Sequence, residues 1–152
     1  MIVADASPPI AFAAIGRLDV PRRLFGGLVV PSAVAAEIRP SIPTRPDWIG
    51  VVPAPQPIDS RLVDAGFGPG ETEVLALALA GSARLVILDE RNVRREAERL
   101  GIATIGAVGL VVLAKEVGIV EAARPLLVAL RDGGLYLSDR IIRHALEQAG
   151  EA

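Results

Sequence analysis

Three runs in this chain are apolar at every position: Ile2-Val3-Ala4, Leu28-Val29-Val30 and Leu85-Val86-Ile87-Leu88. A strand with one face in water alternates polar and apolar residues, so a short run without alternation belongs to a strand covered on both faces. Strands of that kind sit in parallel sheets between layers of helix. The intervening segments read as helices. Ser7 is placed to cap a helix whose first turn holds Pro8 and Pro9 and which continues from Ile10 to Ile15; Arg17 to Phe25 reads as a second. Gly26-Gly27 breaks the chain before the second strand, Pro31-Ser32 opens a helix through Ile38, and Pro40 ends it. Residues 40 to 57 hold six prolines and no helical period, with only Trp48 to Val52 strand-like, and read as a surface excursion.

The second half continues the alternation. Gly68-Pro69-Gly70 is a turn ahead of a helix over Glu71 to Ala80; no Lys follows it and no strand closely precedes it, so it is not a phosphate loop. Arg84 to Asp89 is a strand, Glu90 to Leu100 a polar helix and Ile102 to Ile105 a short strand. Helices are expected over Val108 to Val117, Val120 to Leu130 and Ser138 to Gln148. Strands alternating with helices indicate βαβ units. The expected fold is α/β: a three-layer α/β/α arrangement with a central, mainly parallel sheet of four or five strands, formed by residues 1–152 as a single domain.

Composition narrows the function. Apolar residues make up 51% of the chain and aromatics 3%, so the core is aliphatic and base-stacking platforms are scarce. The absence of cysteine excludes disulfides, thiolate metal sites and cysteine nucleophiles. No long uninterrupted apolar stretch is present, and the opening Met-Ile-Val-Ala-Asp lacks the basic start of a signal peptide, so no membrane association and a cytoplasmic location are expected. A formal net charge of −2 gives no global footprint for nucleic acid, so any such binding rests on local arginines. Arg91, Arg94, Arg95 and Arg99 fall on one helix face; with Glu96 and Glu98 interspersed, that face is either salt-bridged and solvated or a phosphate track.

Four carboxylates stand out. Asp5 and Asp89 each close an apolar strand, Glu37 lies one or two helical turns after the second strand, and Glu71 opens the helix that feeds the Asp89 strand. The C-terminal edge of an open α/β sheet is where ligands bind. Acids converging there repel one another unless a hard cation neutralises them. Taken singly, an acid after a strand is also an ordinary helix cap, and acids near helix starts are ordinary too. Glu73 competes with Glu71: two positions on, it points about 200° around the helix, so both cannot face one ion.

At these residues the chain resembles the PIN-domain ribonucleases, and more closely a compact subgroup opening with Asp-Ala-Ser-Pro. The matching pieces are Val3-Ala-Asp-Ala-Ser-Pro8, Val29-Val-Pro-Ser-Ala-Val-Ala-Ala-Glu-Ile38 and Gly68-Pro-Gly-Glu-Thr-Glu-Val-Leu-Ala-Leu-Ala78. Leu85-Val-Ile-Leu-Asp-Glu-Arg91, Arg95-Glu-Ala-Glu-Arg-Leu-Gly101, Ile105-Gly-Ala-Val-Gly-Leu110, Ala114-Lys115 and Leu137-Ser138 follow in family order. The resemblance implies a metal-dependent endoribonuclease using Mg²⁺ or Mn²⁺, often the toxin of a toxin–antitoxin pair. Carried over residue by residue, it makes Asp5, Glu37, Glu71 and Asp89 the metal-holding, catalytic acids and Ser7 the small hydroxyl residue beside the first. Ser7, Arg91 and Arg95 are expected to meet the RNA. The family often has a further Asp just after the Asp89 position, where this chain has Glu90, Arg91 and Asn92.

Other readings make different demands. A catalytically silent PIN-like module would bind RNA or protein without needing a repulsive acidic cluster. A receiver-type phosphoacceptor needs paired acids after the first strand and a late lysine after a strand; here Asp5 stands alone, and Lys115, the only lysine, falls within a predicted helix. His144, without a partner histidine, is expected at the surface, and Trp48 is expected to anchor the proline-rich excursion. The apolar segments Val108 to Val112 and Leu126 to Leu130 exceed what one sheet needs, which points to a homodimer through helices. An antitoxin, if present, would cover the acidic groove.

Overall fold

A computed structural model describes all 152 residues. Five strands form one sheet in the order β3-β2-β1-β4-β5, every neighbouring pair parallel. They are β1 (Ile2–Ala4), β2 (Leu28–Val30), β3 (Ile49–Val51), β4 (Leu85–Ile87) and β5 (Thr104–Ile105). The inner strands are the apolar runs of the sequence: Val3, Val30 and Val86 have no exposed surface, as expected where helices cover both faces. The strand-like stretch in the proline-rich excursion supplies the edge strand β3, with Trp48 packed partly buried against the core.

Nine helices complete the three-layer α/β/α arrangement: α1 (Ser7–Ala14), α2 (Asp19–Phe25), α3 (Ser32–Ile38), α4 (Ser60–Ala65), α5 (Pro69–Gly81), α6 (Arg91–Arg99), α7 (Ala107–Glu116), α8 (Arg124–Asp132) and α9 (Asp139–Gln148). One group has α5 against α3, α4 and β1; the other gathers α1, α2, α8 and α9 around α7. Gly26 ends α2 with φ +77°, a conformation in which a side chain is strained, and lets the chain reverse into β2. No helix is long and apolar enough to cross a membrane.

Several elements depart from the sequence expectation. Helix α4 was not foreseen: its six residues are too few to display a period, and it is marked only by the Asp59 cap, which accepts a 2.9 Å bond from Arg61 N–H, and by Gly66 at its end. Ser7 does not cap α1. It is the first helical residue, the preceding Ala6 is itself helical in conformation, and the hydroxyl reaches Asp89 instead. The expected helix from Val120 begins only at Arg124, after a turn in which Gly118 adopts φ +82°. The apolar surplus expected to drive dimerisation is mostly consumed within the chain: Leu110, Val111, Val112, Leu126, Leu127 and Leu130 are buried in the 38-residue core.

Candidate active site

The strand order reverses direction between β1 and β4, and in an open parallel sheet the crevice outside the strand ends at such a switch is the ligand position. The register Ala4↔Ile87 brings both strands to the same edge, and Asp5 N–H donates to Ile87 O at 2.9 Å. Asp5, one residue past β1, and Asp89, two past β4, therefore meet there. Asp5 is the only charged residue in the buried class, 7% exposed.

Two helices bring the remaining acids. Glu37 lies in the last turn of α3, which packs on α5, and its carboxylate stands over Gly70, where a Cβ would come within 2.2 Å of Oε1. Glu71 sits in the first turn of α5, its carboxylate turned back over Gly68. Glu73 takes another direction. Its Oε1 accepts a 3.1 Å bond from Ala33 N–H and so satisfies a free donor at the start of α3. The two glutamates thus part as the helical geometry requires: Glu71 acts on Asp5, while Glu73 ties α5 to α3.

The electrostatics record the convergence. Burial pushes the Asp5 carboxyl up to about 6, the Ala6 N–H opposes that, and the charges of Glu71, Glu37 and Asp89 raise it further. Glu37 is also raised, by partial burial and then by Glu71 and Glu73. Asp89 is raised by burial, against the pull of Ala107 N–H, the Ser7 hydroxyl and Arg94.

Asp89 is held from several sides. Its Oδ1 accepts a 2.7 Å bond from Ala107 N–H, occupying a free donor at the start of α7, and Ser7 Oγ donates to Oδ2 at 3.4 Å. The approach needs Gly106: a Cβ there would lie 2.7 Å from Asp89 Oδ1 and 3.1 Å from an Arg94 guanidinium nitrogen. Glu90 caps α6 by accepting from Asn92 N–H at 3.3 Å.

An all-oxygen donor set that repels itself is the chemistry a hard divalent cation neutralises, and Mg²⁺ needs only one or two carboxylates beside water and phosphate oxygens. The four acids fit such an ion by donor type and charge. In the side-chain conformations present, no three acidic or histidine side chains are gathered tightly enough to enclose one. Glu37 is exposed and Glu71 half-buried, and neither accepts a hydrogen bond, so both have torsional freedom to turn inward.

Of the predicted RNA-contacting residues, Arg91 and Arg95 line a groove beside Asp89. Arg94, which sequence reasoning put on the basic face without a role at the site, is the arginine whose charge Asp89 feels. Gly70 and Gly106 were also missed as site residues, since nothing in sequence marks a glycine over which another segment's carboxylate passes. Arg99 is taken out of the basic face by its bidentate pairing with Glu96. His144 is exposed on α9, away from the acids.

Comparison with known proteins gives one family. A family model described as a PIN domain matches residues 1–151. No curated protein matches the chain.

Proposed function

The chain belongs to the PIN-domain family, and on that premise we propose that it is a metal-dependent endoribonuclease with Asp5, Glu37, Glu71 and Asp89 as its acidic centre. The observation that carries the reading is the meeting of Asp5 and Asp89 at the switch point between β1 and β4, with Glu37 and Glu71 close enough to raise the Asp5 carboxyl. Structural capping accounts for Asp89 alone and Glu73 alone. It gives no reason to bury Asp5 among three further negative charges.

In this reading Asp5 and Asp89 hold a Mg²⁺ or Mn²⁺ ion, and Glu37 and Glu71 complete its surroundings or serve a second one. When bound, the metal supplies a lowered pKa for an attacking water and neutralises charge on the scissile phosphate. The chain's own residues set the geometry. Ala107 N–H and the Ser7 hydroxyl fix the orientation of the Asp89 carboxylate, and second-layer hydrogen bonds of this kind are worth about 10–100-fold in affinity or activity. Arg94, Arg91 and Arg95 present guanidiniums beside Asp89, where they bind phosphate oxygens and stabilise developing charge.

We further propose, on the resemblance of the Asp-Ala-Ser-Pro opening, that it acts as the cytoplasmic toxin of a toxin–antitoxin pair, with an antitoxin covering the acidic groove at rest. The homodimer loses the support of the apolar surplus, which the core absorbs, and is retained only because resemblance to the PIN-domain family also implies one. The silent-module reading draws on Glu90, which replaces a frequent family aspartate and is spent on capping α6. A Mn²⁺ binding isotherm on the protein beside an Asp5→Asn, Asp89→Asn double variant separates the two. Uptake of one or two ions by wild type and none by the variant supports the nuclease; no uptake by wild type, with or without RNA, sinks it.

A further inference from the structure

Two surface grooves join end to end. One, of about 430 Å³, runs from Asp89 along Arg91, Arg94 and Arg95 of α6. The other, of about 580 Å³, lies between α6 and α9 and is lined by Arg91, Arg140, Arg143 and His144. Arg91 and Ile141 belong to both, so one continuous channel leads from the acidic centre onto α9.

Its charge is not what the rest of the surface would give. Six of the 16 lysines and arginines are paired to acids: Arg17, Arg23, Arg61, Arg99, Lys115 and Arg131. Of the ten without such a partner, five, Arg91, Arg94, Arg95, Arg140 and Arg143, line this channel. The only other acids along it are Glu98 and Glu147. In a chain of net charge −2 this is a local concentration of free guanidiniums, the group suited to phosphate oxygens. Apolar lining is confined to Val108, Ile141 and Ala145, too little for the apolar, aromatic core of a protein interface.

We propose that this channel carries RNA away from the scissile bond, with Arg140 and Arg143 of α9 gripping phosphates beyond those that Arg91, Arg94 and Arg95 meet. The inference rests on the nuclease reading of the acidic centre and extends its phosphate track onto α9. Backbone contacts without stacking platforms make the binding salt-dependent and tolerant of sequence.

The test is fluorescence anisotropy in EDTA, where nothing is hydrolysed, with a labelled RNA of about 12 nucleotides lacking self-complementarity, within the site sizes of single-strand binders. Wild type is compared with Arg140→Gln, Arg143→Gln and with Arg22→Gln, Arg84→Gln, which removes the same charge outside the channel. At about −0.7 in log–log salt slope per phosphate contact, the α9 variant should lose about 1.4 of slope and bind roughly tenfold more weakly at low salt. The control should bind as wild type. Equal behaviour of wild type and the α9 variant, or equal weakening in the control, overturns the proposal. So does a labelled acidic peptide binding the channel while RNA does not. Failure here alongside intact Mn²⁺-dependent cleavage removes the α9 track alone. Channel-dependent binding without metal uptake removes the nuclease reading and leaves the track.

Discussion

Glu37 Oε1 lies where it can only because residue 70 has no side chain: a Cβ on Gly70 would stand 2.2 Å from it. The contact links the last turn of α3 to the first turn of α5 and sets how far the Glu37 carboxylate can advance toward Asp5. Gly70→Ala should therefore separate stability from metal binding. Alanine is the better helix former by about 1 kcal/mol, and the displaced group is the free end of a flexible side chain. The expected result is an unchanged or slightly raised Tm with Mn²⁺ affinity down roughly tenfold, as for other supporting residues. An unchanged isotherm would remove Glu37 from the centre.

Asp5 makes the metal-free protein pH-sensitive in an unusual direction. Its pKa rises from 3.8 to about 6 on folding, so between those values the folded state holds more protons than the unfolded one. Stability then falls as pH rises through that window and stays low above it, by on the order of 3 kcal/mol at 1.36 kcal/mol per pKa unit. Urea denaturation in EDTA from pH 4 to pH 7 reads the effect. Asp5→Asn should remove the Asp5 share of the decline and raise stability at pH 7, leaving the smaller contributions of Glu37 and Asp89, and millimolar Mn²⁺ should restore much of the loss in wild type only. Because Asp19, Asp59, Glu96 and Glu151 are lowered and contribute with the opposite sign, the difference between wild type and Asp5→Asn is the readout; no decline in that difference would mean Asp5 is far better solvated than its 7% exposure implies.

Glu71 and Glu73 should behave oppositely although one residue separates them. Glu73→Ala removes the acceptor of Ala33 N–H and should cost about 1 kcal/mol, as loss of a helix cap does, with metal stoichiometry unchanged. Glu71→Gln should leave unfolding within about 0.5 kcal/mol of wild type, as surface changes usually do, and lower Mn²⁺ affinity. Calorimetric titration and thermal melts on the two variants decide the pair. The reverse pattern would exchange their roles.

The legibility of this molecule divides along the range of the interactions. The apolar runs Ile2–Ala4, Leu28–Val30 and Leu85–Ile87 announced buried parallel strands because strand burial is written in adjacent residues. The acids Asp5 and Asp89 were legible for the same reason: each follows its strand, and parallel pairing of β1 with β4 carries both to one edge. What depended on tertiary placement was not. Arg94 rather than Arg91 or Arg95 is the charge felt by Asp89, because the roll of α6 about its axis is set by Val93 and Ala97 entering the core. Ser7, read as a cap from its place before two prolines, spends its hydroxyl on a residue 82 positions away. A six-residue helix such as α4 is shorter than two turns and shows no period.

Asp89 carries two duties that substitution can pull apart. Its Oδ1 takes the Ala107 N–H at 2.7 Å and so caps α7, the helix around which α1, α2, α8 and α9 assemble. Its charge belongs to the acidic centre. Asn keeps an acceptor oxygen in nearly the same place and removes the charge; Ala removes both. Asp89→Asn should therefore abolish Mn²⁺-dependent cleavage with a Tm at or above that of the metal-free wild type, because a partly buried carboxylate with a raised pKa is relieved of its charge. Asp89→Ala should lose the same activity and in addition about 1 kcal/mol of stability relative to Asp89→Asn, the cost of an uncapped helix start. Equal stability of the two variants would mean that α7 finds another cap and that Asp89 serves only the acidic centre. Cleavage surviving in Asp89→Asn would mean that the charge at this strand end is not needed for the chemistry.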